Sequence, residues 1–125
     1  MALKWFKCKG HVWCDLFKLD LSHEFIKKTE GVYVIWIGEL PRKVLRVGGG
    51  KIARELGKLR NELTIKAFAS HGVKVTWAEV SALQRYGVLV YLNEELVPSM
   101  QKEFPSGIPI KVNLPWDEPD EDEED

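Results

Sequence analysis

Apolar residues fill positions 31–37 without a break, GVYVIWI, and after GELPRK they resume at 44–47. The first run is rich in β-branched and aromatic residues, and Gly38 and Pro41 punctuate the stretch between the two. The pattern predicts two strands joined by a turn. Three glycines follow at 48–50 and read as a hinge loop; Ile52, Leu56, Leu59 and Leu63 then recur at the spacing of one helix face. A helix is predicted over 51–70, with Gly57 inside it at a cost of about 1 kcal/mol relative to alanine. Ser70-His71-Gly72 closes it, with Gly72 as the left-handed residue after the end.

Residues 73–80, VKVTWAEV, place Val73, Val75 and Trp77 on one side and Lys74 and Thr76 on the other, the pattern of a half-buried strand. Residues 82–97 stay largely apolar up to Pro98. The β-branched content of 87–92 also suits a strand, but the length selects a buried helix. Residues 99–104 read as a second helical piece, and Pro105, Gly107, Pro109 and Pro115 fix a loop with Ile108, Ile110 and Val112 along an extended edge. Near the start, Phe17, Leu19 and Leu21 alternate with Lys18, Asp20 and Ser22 as a short strand, and Ser22 is placed to cap helical turns over 23–29. The predicted fold is α+β: a small antiparallel or mixed three-stranded sheet flanked by helices, in the order β-β-α-β-α. It comprises an N-terminal extension (1–30), a core domain (31–116) and a disordered acidic tail (117–125).

Charge divides the chain more sharply than its net value of −1 suggests. Residues 117–125, DEPDEDEED, hold eight of the nineteen acids and no base, so the remaining 116 residues carry 18 bases against 11 acids. Such a tail buries too little apolar surface to order itself. It reads either as a solubilising segment or as a cover for a basic surface. Between 42 and 66, Arg42, Lys43, Arg46, Lys51, Arg54, Lys58, Arg60 and Lys66 face only Glu55 and Glu62. Lys51, Arg54 and Lys58 share a helix side turned away from the apolar stripe, either a solvated face or the footprint of phosphate-backbone binding.

At 45% hydrophobic with five tryptophans, the sequence can build an ordinary core. It contains no apolar run of the ~20 residues that span a membrane and no signal-peptide segment, so a cytoplasmic protein is expected. Cys8, His11 and Cys14 are three soft ligands where a structural zinc takes four, and His23 as a fourth fits no standard spacing. The cysteines are therefore expected as half-buried thiols, with metal binding left open. VGGGKI at 47–52 lacks the upstream glycine and the Ser/Thr of a phosphate-binding P-loop.

GVY at 31–33, followed twelve residues later by RVG at 46–48, resembles the paired tripeptides of the GIY-YIG nuclease superfamily. The likeness extends through Arg54 on the following helix, LNEELV at 92–97, and Asn113 beside Pro115. It implies the tripeptides on adjacent antiparallel strands. It also implies metal-assisted hydrolysis of DNA phosphodiesters, with a tyrosine helping to deprotonate water, a glutamate holding one divalent cation and an arginine balancing charge. On this sequence the implied catalytic set is Tyr33, Arg46, Gly48, Arg54 and Asn93, and the basic stretch supplies an expected DNA-binding set of Arg42, Lys43, Arg46, Lys51, Arg54 and Lys58. Two positions depart from the family pattern. Arg46 replaces the second tyrosine, which suits phosphate binding better than water activation. Asn93 stands where the metal-binding glutamate belongs, and an amide oxygen is a poor substitute for a carboxylate on Mg²⁺.

The resemblance therefore implies a DNA-binding protein with weak or no endonuclease activity. Two alternatives stay open. One is an active divergent endonuclease using Mg²⁺ or Mn²⁺ on Glu94 or Glu79. The other is a protein-interaction module that meets its partner through the acidic tail or an aromatic surface.

Overall fold

The structure, a computed structural model, describes residues 1–117. Its first three strands are β1 (Cys14–Asp15), β2 (Glu30–Ile37) and β3 (Lys43–Lys51). Between β1 and β2 lies α1 (Glu24–Lys27), and after β3 come α2 (Ile52–Arg60) and α3 (Leu63–Lys66). A 3₁₀ turn at Ala69–His71 leads into β4 (Lys74–Glu79) and α4 (Ala82–Leu96). The sheet is antiparallel throughout, in the order β1-β4-β2-β3.

The sheet has four strands, not three, because Cys14 and Asp15 pair with Val75 and Lys74. The strand expected at Phe17–Leu21 is a turn: Asp15 accepts from the Phe17 amide through its carboxylate (2.8 Å) and from the Leu19 amide through its carbonyl (3.0 Å). His23, not Ser22, caps α1, its ring accepting from the Phe25 amide. Cys8 and Cys14 form a disulfide rather than two free thiols, across a tight hairpin in which Cys8 bridges Val12. The hairpin turns at Gly10 and His11, both at positive φ. The acidic tail expected at 117–125 lies, from residue 118 on, outside the described residues.

β2 has no solvent face. Val32, Val34 and Trp36 enter one core with Val88 and Leu92 of α4, while Tyr33 and Ile35 enter the other with Ile52, Leu56 and Leu59 of α2. This accounts for the unbroken apolar run, since a strand covered on both sides gives up the polar half of its alternation. Trp36 is wedged edge-on between Trp13 and Trp116, each 5.2 Å away between ring centres.

The glycines at 48–50 are strand, not hinge. They pair in register with Tyr33, Val32 and Gly31. Missing side chains give no hydrophobic period, so nothing in the pattern marks them as β. Their absence of bulk is used for close approach: a Cβ on Gly48 would lie 2.4 Å from the Tyr33 hydroxyl, and one on Gly31 would lie 1.9 Å from the Ala78 carbonyl oxygen. Further along β3 the register slips between Ile35 and Trp36. They pair with Arg46 and Val44, which leaves Leu45 as the extra residue of a bulge.

The helix expected over 51–70 breaks after Arg60, because Glu62 takes an extended backbone (φ −76°, ψ 124°) while Arg46 of β3 holds its carboxylate. α4 forms as the helix the pattern selected, but only Val88, Val90, Leu92 and Asn93 are buried, and Leu83 and Tyr86 face solvent. Residues 99–104 form no helix. Ser99 and Met100 donate from their amides to Val44 and Leu45, and the Gln101 side chain both accepts from and donates to the Val47 backbone. This segment lies along the outer edge of β3 and occupies hydrogen-bonding groups that an edge strand otherwise leaves open. Residues 108–112 are not a strand; the Ile110 amide donates to Gly87 of α4.

The ends of the described chain meet. Asn113 accepts from the Leu3 amide (2.6 Å), donates to the Leu3 carbonyl (3.0 Å), and accepts the Trp5 indole N–H on its backbone oxygen (3.0 Å). No helix among the described residues is long and apolar enough to cross a membrane.

The two glycine environments make opposite forecasts. Gly31→Ala forces a backbone carbonyl aside and is expected to cost about 3 kcal/mol in urea unfolding. In Gly57→Ala the added methyl meets only Leu21 Cδ1 at 3.8 Å, and the change is expected to add up to about 1 kcal/mol by helix propensity.

Candidate functional site

Tyr33 stands directly opposite Gly48 across the β2–β3 pair, and its ring lies over the space that a side chain at 48 would fill. The phenol is 5% exposed. Burial is the main cause that pushes its pKa up, to about 12. Glu55 and Glu62 add to the rise and Arg46 opposes it. Near neutral pH this residue is a neutral hydroxyl on the α2 side of the sheet.

Arg46 lies on the same side, paired with Ile35, and its guanidinium is engaged. Nη1 and Nη2 donate to the two carboxylate oxygens of Glu62 at 3.1 and 2.9 Å, and Nε donates to the Met100 carbonyl at 3.0 Å. The side chain is 17% exposed. A bidentate fork with a third bond at its base is the strong form of arginine–carboxylate contact. It occupies the donors that a phosphate would use, so Glu62, absent from the predicted set, governs whether Arg46 is available. Nothing in the sequence signals this: Leu63 continues the helical pattern past Glu62, yet it lies in solvent.

Asn93 is buried at 3% exposure on α4, which covers the opposite face of the sheet from Tyr33. Its Nδ2 donates to the Leu89 carbonyl at 2.8 Å, which fixes the amide's orientation. Its Oδ1 is buried and has no partner among the described residues. Asn93 borders a cavity of about 340 Å³ together with Val47, Gly48, Tyr86 and Gln101. Gly48 thus touches both Tyr33 on one side and this cavity on the other. The implied catalytic residues are not gathered round one point: Tyr33, Gly48 and Arg46 share a neighbourhood, Arg54 stands in solvent on α2, and Asn93 lies beyond the sheet.

The predicted nucleic-acid residues separate as well. Arg42 lies over the Trp116 ring at 4.6 Å, beside Lys43 at the turn end of β3. Lys51, Arg54 and Lys58 stand at the other end, about 25 Å along the strand at ~3.3 Å per residue. Arg54 and Lys58 are exposed on the side of α2 opposite the buried Ile52, Leu56 and Leu59, and Lys51, the last residue of β3, is exposed at the helix's N-terminus. Lys58 contacts Glu55 at 3.3 Å while 65% of its side chain remains accessible, and neither Lys51 nor Arg54 is ion-paired among the described residues. Arg60 belongs to the fold, donating to the carbonyls of Leu16 and Leu19.

No donor set for a divalent cation is assembled from these residues. Asn93 supplies one neutral oxygen where a hard cation wants carboxylates, and Glu94 and Glu79 are exposed on α4 and at the end of β4. No group of three or more His, Cys, Asp or Glu side chains converges among the described residues. With Cys8 and Cys14 bonded to each other, neither is a thiolate ligand to pair with His11. Comparison of the chain with protein-family models, with curated proteins and with solved structures gives no match.

The Tyr33 environment predicts an alkaline limb in stability. The folded chain holds the phenolic proton more tightly than the unfolded chain, whose value is near 10. The resulting stabilisation is complete below pH 10 and is lost as pH rises through about 12. Urea unfolding between those values is expected to show the parent losing about 2 kcal/mol more than Tyr33→Phe. Parallel pH profiles for the two proteins would contradict this placement of the phenol.

Proposed function

We propose that this chain binds DNA through α2, on a scaffold like that of the GIY-YIG nucleases, and cleaves it weakly or not at all. The observation that carries the binding is the exposed row Lys51, Arg54 and Lys58, which stays outside while Arg46 is held by Glu62 and Arg60 by backbone carbonyls. Exposed cations clustered on one side of a helix and at its N-terminus are the electrostatic footprint of a phosphate-backbone contact.

The scaffold reading draws on the order of elements. An antiparallel strand pair sets the tyrosine of GVY against the glycine of RVG; a helix bearing Arg54 follows, then a strand, then a helix bearing Asn93. Weak or absent cleavage follows from two features. The Arg46 fork is closed on Glu62, and Asn93 is a buried amide.

Electrophoretic shift of a short DNA duplex tests the binding. Three phosphate contacts give a log–log salt slope of about −3, and Lys51→Gln/Arg54→Gln/Lys58→Gln is expected to flatten the slope by about that amount. Absence of a shift at low salt, or a triple variant that binds like the parent, would overturn the α2 assignment. Supercoiled plasmid with Mg²⁺ or Mn²⁺ tests the cleavage. Metal-dependent nicking that disappears in Tyr33→Phe would show an active nuclease and overturn that half of the reading.

A further inference from the structure

The N-terminal segment reads Lys4-Trp5-Phe6-Lys7-Cys8-Lys9, cations interleaved with aromatics. It does not wander over the surface. The Phe6 amide donates to the Trp77 carbonyl at 2.9 Å, and the Thr76 hydroxyl donates to the Phe6 carbonyl at 2.6 Å. The segment thereby continues the line of β1 along the outer edge of β4. Phe6 stacks on Trp77 at 4.6 Å with the rings 15° from parallel. α1 raises Phe25, itself stacked on His23.

Phe6, Phe25 and Trp77 line one groove of about 760 Å³. Phe25 is 72% exposed and Phe6 38%. Two aromatic rings left this open in one groove are unusual on a surface with no covering element. Lys4, Lys7 and Lys9 line the same groove, against Glu79 as its acid. Lys7 is held over the Trp13 ring at 4.5 Å, and the Cys8–Cys14 disulfide pins the hairpin that carries Lys9 and His11.

We propose that this groove binds an unpaired stretch of single-stranded nucleic acid, its bases stacking on Phe6 and Phe25 and its phosphates meeting Lys4 and Lys9. Open aromatic faces beside a line of cations are the physical requirements of sequence-tolerant single-strand binding: every base offers a π-face, and every linkage offers a charge. The two rings favour bases over the carboxylates of an acidic peptide, which would use the lysines alone. The assignment uses none of the α2 residues, so it stands or falls separately from duplex binding.

Fluorescence anisotropy of a labelled short oligothymidylate, and of a duplex of the same length, tests it on the full chain under non-reducing conditions. The parent is expected to bind the single strand. Phe25→Ala, whose ring is too exposed to support the fold, is expected to weaken single-strand binding on the order of tenfold, as loss of one stacked base does. Lys4→Gln/Lys9→Gln is expected to weaken it and to flatten its salt dependence. Both variants should bind duplex as the parent does, while Lys51→Gln/Arg54→Gln/Lys58→Gln should lose duplex and retain the single strand. Failure of the parent to bind oligothymidylate would overturn the proposal, as would undiminished single-strand binding by both groove variants. Displacement of the oligothymidylate by an equal concentration of polyglutamate would overturn it in favour of an acidic peptide.

Discussion

Six consecutive residues of β2, 31–36, must be covered on both faces and bonded along both edges, and the other elements are arranged around that demand. α2 covers Tyr33 and Ile35, and α4 covers Val32, Val34 and Trp36. With β2 central, β3 becomes an edge, and residues 99–101 lie along it and take up the hydrogen bonds of Val44, Leu45 and Val47. Burying a Val- or Ile-sized side chain contributes roughly 1.5–3 kcal/mol, so a two-sided strand concentrates stabilisation in a few residues. It also tolerates little change in their volume.

The same geometry sorts the cations. Arg46 rises from β3 into the layer under α2 and is taken by Glu62, while Arg60 turns inward to the carbonyls of the Leu16–Leu19 turn. The cations that stay outside are on the solvent side of α2, around the Cys8–Cys14 hairpin, and at the β2–β3 turn. A basic body is thus divided into internal struts and separate external patches. Only the external ones are free to meet an anion.

Much of this arrangement was legible from neighbours in sequence. The run at 31–37, the alternation at 74–79 and the length of 82–96 each announced an element, because one strand or helix buries its own residues in a fixed period. What could not be read depended on partners far along the chain. Cys14–Asp15 is too short to show a period and is a strand only because Val75 lies beside it. The glycines at 48–50 carry no side-chain signal and are strand because Tyr33 and Gly31 require thin neighbours. Glu62 counts as a surface acid until Arg46, sixteen residues earlier, is seen to reach it. At the site, the pairing of Tyr33 with Gly48 agreed with the tripeptide spacing, whereas the sheet between Tyr33 and Asn93 had no counterpart in the linear order.

The reciprocal bonds between Leu3 and Asn113 tie together residues 110 positions apart and close the described chain into a ring. Neither flank can peel away alone without orphaning the other's polar groups. The segment bearing Lys4, Phe6 and Lys7 is therefore registered from two directions: by β4 along its length, and by the Asn113 amide at its start. A chain terminus is ordinarily the first part of a domain to fray. In this protein, exchange of the Leu3 amide with solvent reports whether residue 113 is seated, and so couples the order of the aromatic groove to the loop that follows α4.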